Sequence, residues 1–293
     1  MQIIFSTKNF KLARVELAEQ HLSEYINLLL TKYSFSMNAM IFAAGLGTRL
    51  RPLTDHRPKA LIEVEGKTLL EHNILKLKDA GFDHIVVNVH HFGEQIIDFL
   101  KANDNFGIDI RMSDERGELL DTGGGIKAAF PLFEEDGPIL IHNVDIISDI
   151  DVRAIYDAHV NAAVRPVATL AVNQRKTQRY LLFNEEMNLC GWTNIATGEL
   201  KPAEFIEALE NDQVSLEQLH RFAFSGIHVV DQQLVPYFMN RDERVFPIMD
   251  FYLSICHQVH LHAVDVSGLQ WVDCGKPESL SNAVQIVRKS PSY

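Results

Sequence analysis

Short apolar runs alternate with amphipathic stretches from residue 39 onward. The apolar run 39–44 predicts a buried strand, the one-sided apolar spacing of 68–80 predicts a helix, and the β-branched run 84–89 predicts a second strand. The alternation continues with a helix over 92–101, a strand over 108–112, a helix over 125–130 and a strand over 138–142. It predicts an α/β fold built from βαβ units with right-handed crossovers.

The pattern changes after residue 165, where strands predominate. Runs rich in β-branched and aromatic residues predict strands at 167–172, 180–183 and 222–230. Helices are predicted over 232–240 and 248–257, a strand over 259–266 and a closing helix over 277–288. The second half of the chain is therefore expected to be richer in strands than the first.

The first 36 residues differ from the rest of the chain. Apolar residues from Phe10 to Leu29 stand among charges at roughly helical spacing, and a new pattern opens at Met37. We predict a helical N-terminal extension over residues 1–36 and a main domain over residues 37–293. The extension is either an appendage that precedes the natural start or a helix that packs on the body or on a partner subunit.

Composition narrows the classes of partner. Lys and Arg number 27 and Asp and Glu number 39, which gives a net charge of −12. This acidic balance argues against nucleic acid, which is bound through basic surfaces, but not against nucleotides. The three cysteines lie far apart, and no apolar run approaches the roughly 18–20 residues of a membrane helix. With no secretory signal recognisable, we predict a cytoplasmic protein without a membrane partner.

A glycine loop follows the first predicted strand. Residues 45–54 are Gly-Leu-Gly-Thr-Arg-Leu-Arg-Pro-Leu-Thr, and Arg-Pro-Lys-Ala-Leu stands at 57–61. Such a loop lets backbone N–H groups approach phosphate oxygens, and Arg49 and Lys59 add two cations. The loop predicts a triphosphate or pyrophosphate site. Leu50 occupies the third glycine position of the dinucleotide fingerprint, which argues against an oxidoreductase, and the Lys of a P-loop is absent.

Two further segments carry candidate chemistry. Leu-Asp-Thr-Gly-Gly-Gly-Ile at 120–126 opens a predicted helix, where glycines let a flat ring lie close to the backbone; a tight turn is the alternative. Ile-Leu-Ile-His-Asn-Val-Asp at 139–145 places Asp145 at the carboxyl edge of the sheet, where open α/β sheets bind ligands. A capping role is the alternative for Asp145.

Residues 45–61 resemble the signature of the sugar-1-phosphate nucleotidylyltransferases. That signature consists of an apolar strand, then G-x-G-T-R-L-x-P-L-T, and then P-K-x-L. Later landmarks extend the resemblance over roughly residues 37–288. It implies a Rossmann-like mixed, mostly parallel sheet flanked by helices. The implied reaction joins an NTP and a sugar 1-phosphate into an NDP-sugar with release of pyrophosphate.

The resemblance also implies roles for individual residues. Arg49 would bind the leaving pyrophosphate, Lys59 would neutralise the α-phosphate, and Asp145 would act as a catalytic metal ligand. The implied nucleotide-binding residues are Ala43, Gly45, Gly47, Thr48, Thr122 and Gly123. Asp145 and Asp273 would hold Mg²⁺, which prefers oxygen ligands. The chain departs from the family at Val144, where N-G-D is usual, and at Lys276, which replaces a Thr.

The sugar half carries fewer landmarks. The strand that includes Gly226 resembles the family's glycine strand that faces the sugar, and Asn143 is a second expected sugar contact. The family's E-K-P triplet, whose Lys binds the sugar phosphate, is absent, and Lys201 in Glu-Leu-Lys-Pro is a candidate replacement.

The Thr-Gly-Gly-Gly run and the length most resemble the N-acetylmuramate 1-phosphate uridylyltransferases of cell-wall recycling. This implies UTP and an amino-sugar phosphate. GTP with mannose 1-phosphate, or a catalytically silent nucleotide-sugar-binding regulatory subunit, remain alternatives. Whether the chain forms a homo-oligomer is left open by the sequence.

Overall fold

The structure is a computed structural model that describes residues 36–133 and 137–289. The strands are β1 (Asn38–Phe42), β2 (Glu63–Val64), β3 (Lys67–Thr68), β4 (His84–Val89), β5 (Asp109–Asp114), β6 (Ile139–Asn143), β7 (Ile146–Ser148), β8 (Ala168–Asn173), β9 (Arg179–Phe183), β10 (Leu189–Asn194), β11 (Glu199–Lys201), β12 (His220–Val230), β13 (Leu261–Asp265) and β14 (Trp271–Asp273). The helices are α1 (Leu69–Asp79), α2 (Gly93–Ala102), α3 (Asp121–Ala129), α4 (Val152–Val160), α5 (Ala203–Glu210), α6 (Val235–Met239), α7 (Ile248–Ile255) and α8 (Pro277–Lys289).

One large mixed sheet organises the described residues. Its strands follow the order β11-β10-β9-β12-β6-β1-β4-β5, and β8 pairs with both β12 and β13. Strands β6, β1, β4 and β5 are parallel neighbours, whereas β12 runs antiparallel to β6, β8 and β9. The predicted Rossmann-like mixed sheet flanked by helices is confirmed.

The parallel strands are apolar on both faces because helices cover both sides. Along β1, Ala39 and Ile41 enter one buried cluster with the apolar face of α1, and Met40 enters a second cluster with α7. This alternation follows from the two-residue period of a strand. The sheet therefore separates two cores, and its carboxyl edge stays open for a ligand.

Several elements were not predicted, among them helices α4 and α5 and strands β10 and β11, and two further differences concern the site. Helix α3 begins at Asp121 rather than at residue 125, so the three glycines lie within the helix. The short strands β7 and β14, which pair with each other as a separate two-stranded ribbon, were not predicted, because three residues carry no measurable periodicity. Both differences bear on the site described below.

The described residues from Met37 onward form one compact unit. The predicted helical extension over residues 1–36 lies, apart from Ser36, outside the described residues and stays a prediction. In the described part of the chain, none of the helices has the length and hydrophobicity that crossing a bilayer requires.

Candidate active site

A cavity of about 410 Å³ opens at the carboxyl ends of β1 and β6. The backbone of residues 43–45 forms one wall, Asn143 and Asp145 form another, and Lys59 reaches in between. The strands end here because Gly45 follows β1 and the chain turns after Asn143. The site therefore occupies the sheet edge where open α/β folds bind ligands.

The glycine loop is held in shape by its own hydrogen bonds. Gly47 has a φ of +64°, and a Cβ there would lie 3.0 Å from Thr54 Cγ2. The Thr54 hydroxyl and the Leu50 N–H both donate to the Gly47 carbonyl, at 2.8 and 2.9 Å. Thr48 and Arg49 follow as an exposed 3-10 turn. The left-handed backbone and the close approach of Thr54 explain the need for glycine at position 47.

A buried polar pair fixes the start of this loop. Asn88 Oδ1 accepts the backbone N–H groups of Ala43 and Ala44 at 2.7 and 3.2 Å. Asn88 Nδ2 in turn donates to Glu115 Oε1 at 2.8 Å, and Glu115 Oε2 accepts the Leu120 N–H at 3.1 Å. Burial raises the pKa of Glu115. Sequence analysis missed both side chains, although a lone Asn in the apolar run of β4 was an available signal.

Lys59 and Asp145 contact each other at the floor of the cavity. The ammonium of Lys59 meets Asp145 Oδ2, and both side chains are largely buried. Burial and the neighbouring carboxyl of Asp273 raise the pKa of Asp145, and the charge of Lys59 opposes that shift. The structure thus brings together the two predicted residues 59 and 145 from opposite ends of the first half of the chain.

The β7–β14 ribbon carries Asp273 to Asp145. Asp273 pairs with Ile146, and the Cys274 N–H donates to the Asp145 carbonyl at 2.8 Å. The predicted pyrophosphate ligand Arg49 lies on the outer side, with its guanidinium 4.0 Å from Asp273 Oδ2. A Cβ at Gly275 would lie 2.5 Å from that guanidinium. Glycine at 275 therefore lets Arg49 approach.

The carboxylate pair fits Mg²⁺. Asp273 lies close enough to Asp145 to raise its pKa, so a divalent cation would relieve a repulsion already present. The donors are oxygens, and Mg²⁺ is commonly bound by one or two carboxylates together with substrate phosphates. Within residues 36–133 and 137–289, no group of three or more His, Cys, Asp or Glu side chains forms a metal cage. The two residues thus match an ion that substrate helps to hold.

Helix α1 supports the segment that carries Asp145 from below. Asn73 Nδ2 donates to the Val144 carbonyl at 3.0 Å, and the Lys76 ammonium donates to the Ser148 carbonyl. Burial lowers the pKa of Lys76 to about 8. Polar residues at 73 and 76, within an otherwise apolar helix face, were the sequence signal for these two contacts.

The glycines of α3 contact protein rather than the cavity. The N–H groups of Gly123 and Gly124 donate to the Phe246 carbonyl at 2.8 and 3.2 Å, and a Cβ at Gly124 would lie 2.1 Å from the Arg244 carbonyl oxygen. Thr122 lines the cavity. Val245 also lines it, and it belongs to the segment 244–246 that packs closely against these glycines. The nucleotide contact predicted for Gly123 stays a prediction.

The predicted sugar residues fall into two places. Gly226 has a φ of +78°, and a Cβ there would lie 2.9 Å from Nδ2 of Asn143, so the Gly226 backbone lies against a side chain that lines the cavity. Lys201 Nζ lies 3.5 Å from Glu199 Oε1 and 4.0 Å from Asp250 Oδ1. Lys201 is thus engaged with surface carboxylates, and its predicted role stays a prediction.

Comparison with known proteins identifies the family. The model described as nucleotidyl transferase matches residues 38–290. The chain belongs to this family. The predicted resemblance to sugar-1-phosphate nucleotidylyltransferases is confirmed.

Similar proteins include two N-acetylmuramate alpha-1-phosphate uridylyltransferases. The one from Caulobacter vibrioides is 46% identical over 132 residues, which are 44% of this chain and 51% of the relative. The one from Neisseria meningitidis is 45% identical over 120 residues, 41% of this chain and 52% of the relative. The chain thus spans about half the length of the curated relatives it matches. A UTP–glucose-1-phosphate uridylyltransferase from Synechocystis is 27% identical over 261 residues, 85% of this chain and 63% of the relative.

Solved structures share the fold. An inositol-1-phosphate CTP transferase from T. maritima superposes with a TM-score of 0.65 at 13% identity, covering 87% of this chain and 98% of that one. A UDP-glucose pyrophosphorylase complexed with UDP-glucose gives 0.65 at 15% identity, covering 87% and 99%. At these identities the likeness establishes the fold alone.

Proposed function

We propose that this chain transfers a nucleotidyl group from an NTP to a sugar 1-phosphate, giving an NDP-sugar and pyrophosphate. The observation that carries the proposal is the Lys59–Asp145 contact beside Asp273, at the floor of a cavity walled by a glycine loop. The proposed substrates are UTP and an amino-sugar phosphate such as N-acetylmuramate 1-phosphate. The 45–46% identity to the two uridylyltransferases supports this pair.

The proposed mechanism needs positioning and charge neutralisation rather than a protein nucleophile. The backbone of residues 43–48 binds the triphosphate, and Arg49 binds the β- and γ-phosphates that leave as pyrophosphate. Lys59 turns from Asp145 to the α-phosphate and neutralises the charge that develops there. An oxygen of the acceptor phosphate attacks the α-phosphorus in line, the new P–O bond forms, and the α–β P–O bond breaks.

Asp145 and Asp273 are the proposed Mg²⁺ ligands. Bound Mg²⁺ would supply Lewis-acid polarisation of the α-phosphate and a template for both phosphates. Asn73 and Lys76 keep the Asp145 segment in place through its flanking carbonyls. Asn143 and the Gly226 backbone are the proposed sugar contacts, with Lys201 as the weaker third candidate because surface carboxylates already engage it.

GTP with mannose 1-phosphate is the second candidate pair. A mannose-1-phosphate guanyltransferase from Candida albicans is 27% identical over 83% of this chain, a longer but weaker match than the uridylyltransferases. The regulatory-subunit alternative is disfavoured because Arg49, Lys59, Asp145 and Asp273 stand together in one arrangement. We also propose that residues 37–293 are the nucleotidyltransferase domain and that the chain acts in the cytoplasm, where NTPs are available.

Pyrophosphate release tests the proposal. Purified protein with Mg²⁺ is given UTP, GTP, CTP, ATP or dTTP, each with a panel of sugar 1-phosphates that includes the muramate, glucosamine, glucose and mannose compounds. Release that requires UTP and N-acetylmuramate 1-phosphate together is the expected result. Release with GTP and mannose 1-phosphate alone would support the second candidate. Nucleotide binding without release from any pair would support the regulatory alternative and contradict the proposal.

A further inference from the structure

One cation at this edge of the sheet has no place in the mechanism above. Arg175 lies in the loop that follows β8. Since β8 and β6 both run antiparallel to β12, they are parallel to each other. The loop after Asn173 therefore leaves the sheet at the same edge as Asn143 and Asp145.

Arg175 is held against the strand that carries Asp273. Its guanidinium carbon lies 5.1 Å from the ring centroid of Trp271, and the Trp271 indole N–H donates to the Ser225 carbonyl at 2.7 Å. Trp271 and Asp273 are two residues apart on β14, so their side chains leave the same face about 7 Å apart. The indole thus holds the guanidinium on the face of β14 that carries Asp273, and its bond to Ser225 joins it to the backbone next to Gly226.

The loop itself is anchored on both sides of Arg175. The Gln174 N–H donates to the Ser267 hydroxyl at 2.8 Å, and the Thr177 N–H donates to the Tyr180 hydroxyl at 3.1 Å. Asn173 Nδ2 donates to the Ser225 hydroxyl at 3.0 Å. These bonds fix the backbone, so the direction of the exposed Arg175 side chain is set by the loop and by the stack on Trp271.

Arg175 differs from the other cations of the site in its partners. Arg49 lies near Asp273, Lys59 contacts Asp145, and Lys201 lies near Glu199 and Asp250. Across the described ranges 36–133 and 137–289, Arg175 pairs with no carboxylate, and its contact is the aromatic face. A guanidinium that stacks on an indole keeps its planar fork of donors available for an anion.

We propose that Arg175 binds a carboxylate carried by the acceptor sugar and so selects acceptors that have one. The inference rests on the proposed function, in which the acceptor phosphate occupies the floor beside Lys59 and Asp145. The sugar then extends past Gly226 towards Trp271, and a substituent on its far side reaches Arg175. The lactyl ether of N-acetylmuramate 1-phosphate supplies such a carboxylate, which matches the guanidinium fork through two parallel hydrogen bonds.

The test compares two acceptors that differ only in that substituent, N-acetylmuramate 1-phosphate and N-acetylglucosamine 1-phosphate. Pyrophosphate release is measured for the wild type, Arg175→Gln, Arg175→Lys and the control Lys176→Gln, which removes the same charge from the next residue of the loop. Where the glucosamine compound does not turn over, its inhibition constant replaces its KM.

We expect Arg175→Gln to raise KM for the muramate acceptor by roughly tenfold or more, since a charge-assisted bidentate contact is lost. KM for UTP and the constant for the glucosamine acceptor stay within about twofold. Arg175→Lys should raise KM for the muramate acceptor less than Arg175→Gln does, because lysine keeps the positive charge but lacks the planar fork of donors. Lys176→Gln behaves as the wild type.

Three results would overturn the inference while the wild type remains active. Unchanged KM in Arg175→Gln would remove Arg175 from acceptor binding. An equal loss for both acceptors would assign Arg175 to the phosphate they share. An equal loss in Lys176→Gln would point to the general charge of the loop. A wild type that releases pyrophosphate with neither these nor the other pairs of the panel contradicts the proposed function itself and takes this inference with it.

Discussion

The nucleotide half and the acceptor half of the candidate site are built in different ways. The nucleotide half comes from one continuous stretch, residues 38–145, and its shape is fixed by buried side chains such as Asn88 and Glu115. The acceptor half is gathered from separate parts of the chain, namely the end of β6, the middle of β12 and the loop after β8, and its cation Arg175 is exposed. One half is preorganised by saturated hydrogen bonds, whereas the other presents polar groups that remain available to a ligand.

The difference follows from strand direction. Parallel neighbours all end at the same edge, so consecutive βα units deliver their loops to one place without further arrangement. In the antiparallel half, β12 continues past this edge, and the Gly226 backbone within the strand, rather than a strand end, lies against Asn143 of the cavity wall. We therefore expect substitutions in the two halves to separate effects on NTP from effects on the acceptor.

The largest effect is expected at the residue where the halves meet. Asp145→Asn should lower kcat by roughly a thousandfold, because a charge that acts on the transferring phosphate is lost. Asp149→Asn is the matched control, since it keeps an oxygen to accept the Gln270 N–H. Pyrophosphate release measures both, with thermal unfolding as a check of the fold. Near-normal turnover in Asp145→Asn would remove this residue from the mechanism.

Gly124→Ala should disturb the contact between α3 and the segment that brings Val245 to the cavity. The new Cβ would lie 2.1 Å from the Arg244 carbonyl oxygen, so the backbone must shift. We expect a loss of about 2–3 kcal/mol in the free energy of unfolding. Gly268→Ala, where no atom lies within 4 Å, is the control and should change it by less than about 0.5 kcal/mol. Equal urea midpoints for the two variants would contradict this packing role.

Among the buried histidines, His142 on β6 and His228 on β12 lie one in each half of the site. Burial lowers the pKa of each to about 3. Between about pH 3 and pH 6.5, each of these histidines is therefore neutral in the folded state but protonated in the unfolded state, where its pKa is near 6.5. The stabilisation is present above pH 6.5 and is lost as pH falls towards 3. At pH 5 each histidine should cost about 2 kcal/mol of unfolding free energy relative to pH 8.

Urea unfolding of His142→Gln and His228→Gln at both pH values checks this expectation. Each variant should reduce the wild-type difference between pH 8 and pH 5 by about 2 kcal/mol, and the double variant should reduce it by about 4 kcal/mol. An unchanged difference in both single variants would show that other groups govern the acid response.

The smallest effect is expected at Glu115. In Glu115→Gln one oxygen becomes an NH₂ group that faces a donor, either Asn88 Nδ2 or the Leu120 N–H. Asn88 then holds the Ala43 and Ala44 N–H groups less firmly. KM for the NTP should rise by about tenfold with KM for the acceptor unchanged. Glu118→Gln, an exposed neighbour paired with Arg244, is the control. A rise in KM for the acceptor alone would contradict the assignment of Glu115 to the nucleotide half.

The sequence predicted the parallel half of the fold well for physical reasons. Strand β4 lies where the apolar run 84–89 placed it, and α8 matches the predicted helix 277–288 to within one residue, because long runs carry a clear period. The predicted start of α3, at residue 125, was wrong because the three glycines at 123–125 have a low intrinsic helix propensity. Here the close approach of residues 244–246 outweighs that propensity, a contact that no local pattern reveals.

The candidate site divides in the same way. Lys59 and Asp145 could be predicted because each stands in a motif or directly after an apolar strand, and the structure brings them into contact. Asn88 was missed although it interrupts the apolar run of β4, whereas Glu115 and Arg175 leave no local signal because their roles depend on partners elsewhere in the sequence. Strands of three residues, such as β14, give no periodic signal, so the ribbon that joins Asp273 to Asp145 emerges only from the fold.

The β7–β14 ribbon has a consequence for biosynthesis. A chain emerging from the ribosome carries the glycine loop, Lys59 and Asp145 long before β14 is translated. Asp273 reaches Asp145 only when that late strand pairs with β7 and the Cys274 N–H closes on the Asp145 carbonyl. Nascent and C-terminally truncated chains therefore contain the NTP-binding half without its second carboxylate. The carboxylate pair is complete only after β14 has been translated and has paired with β7.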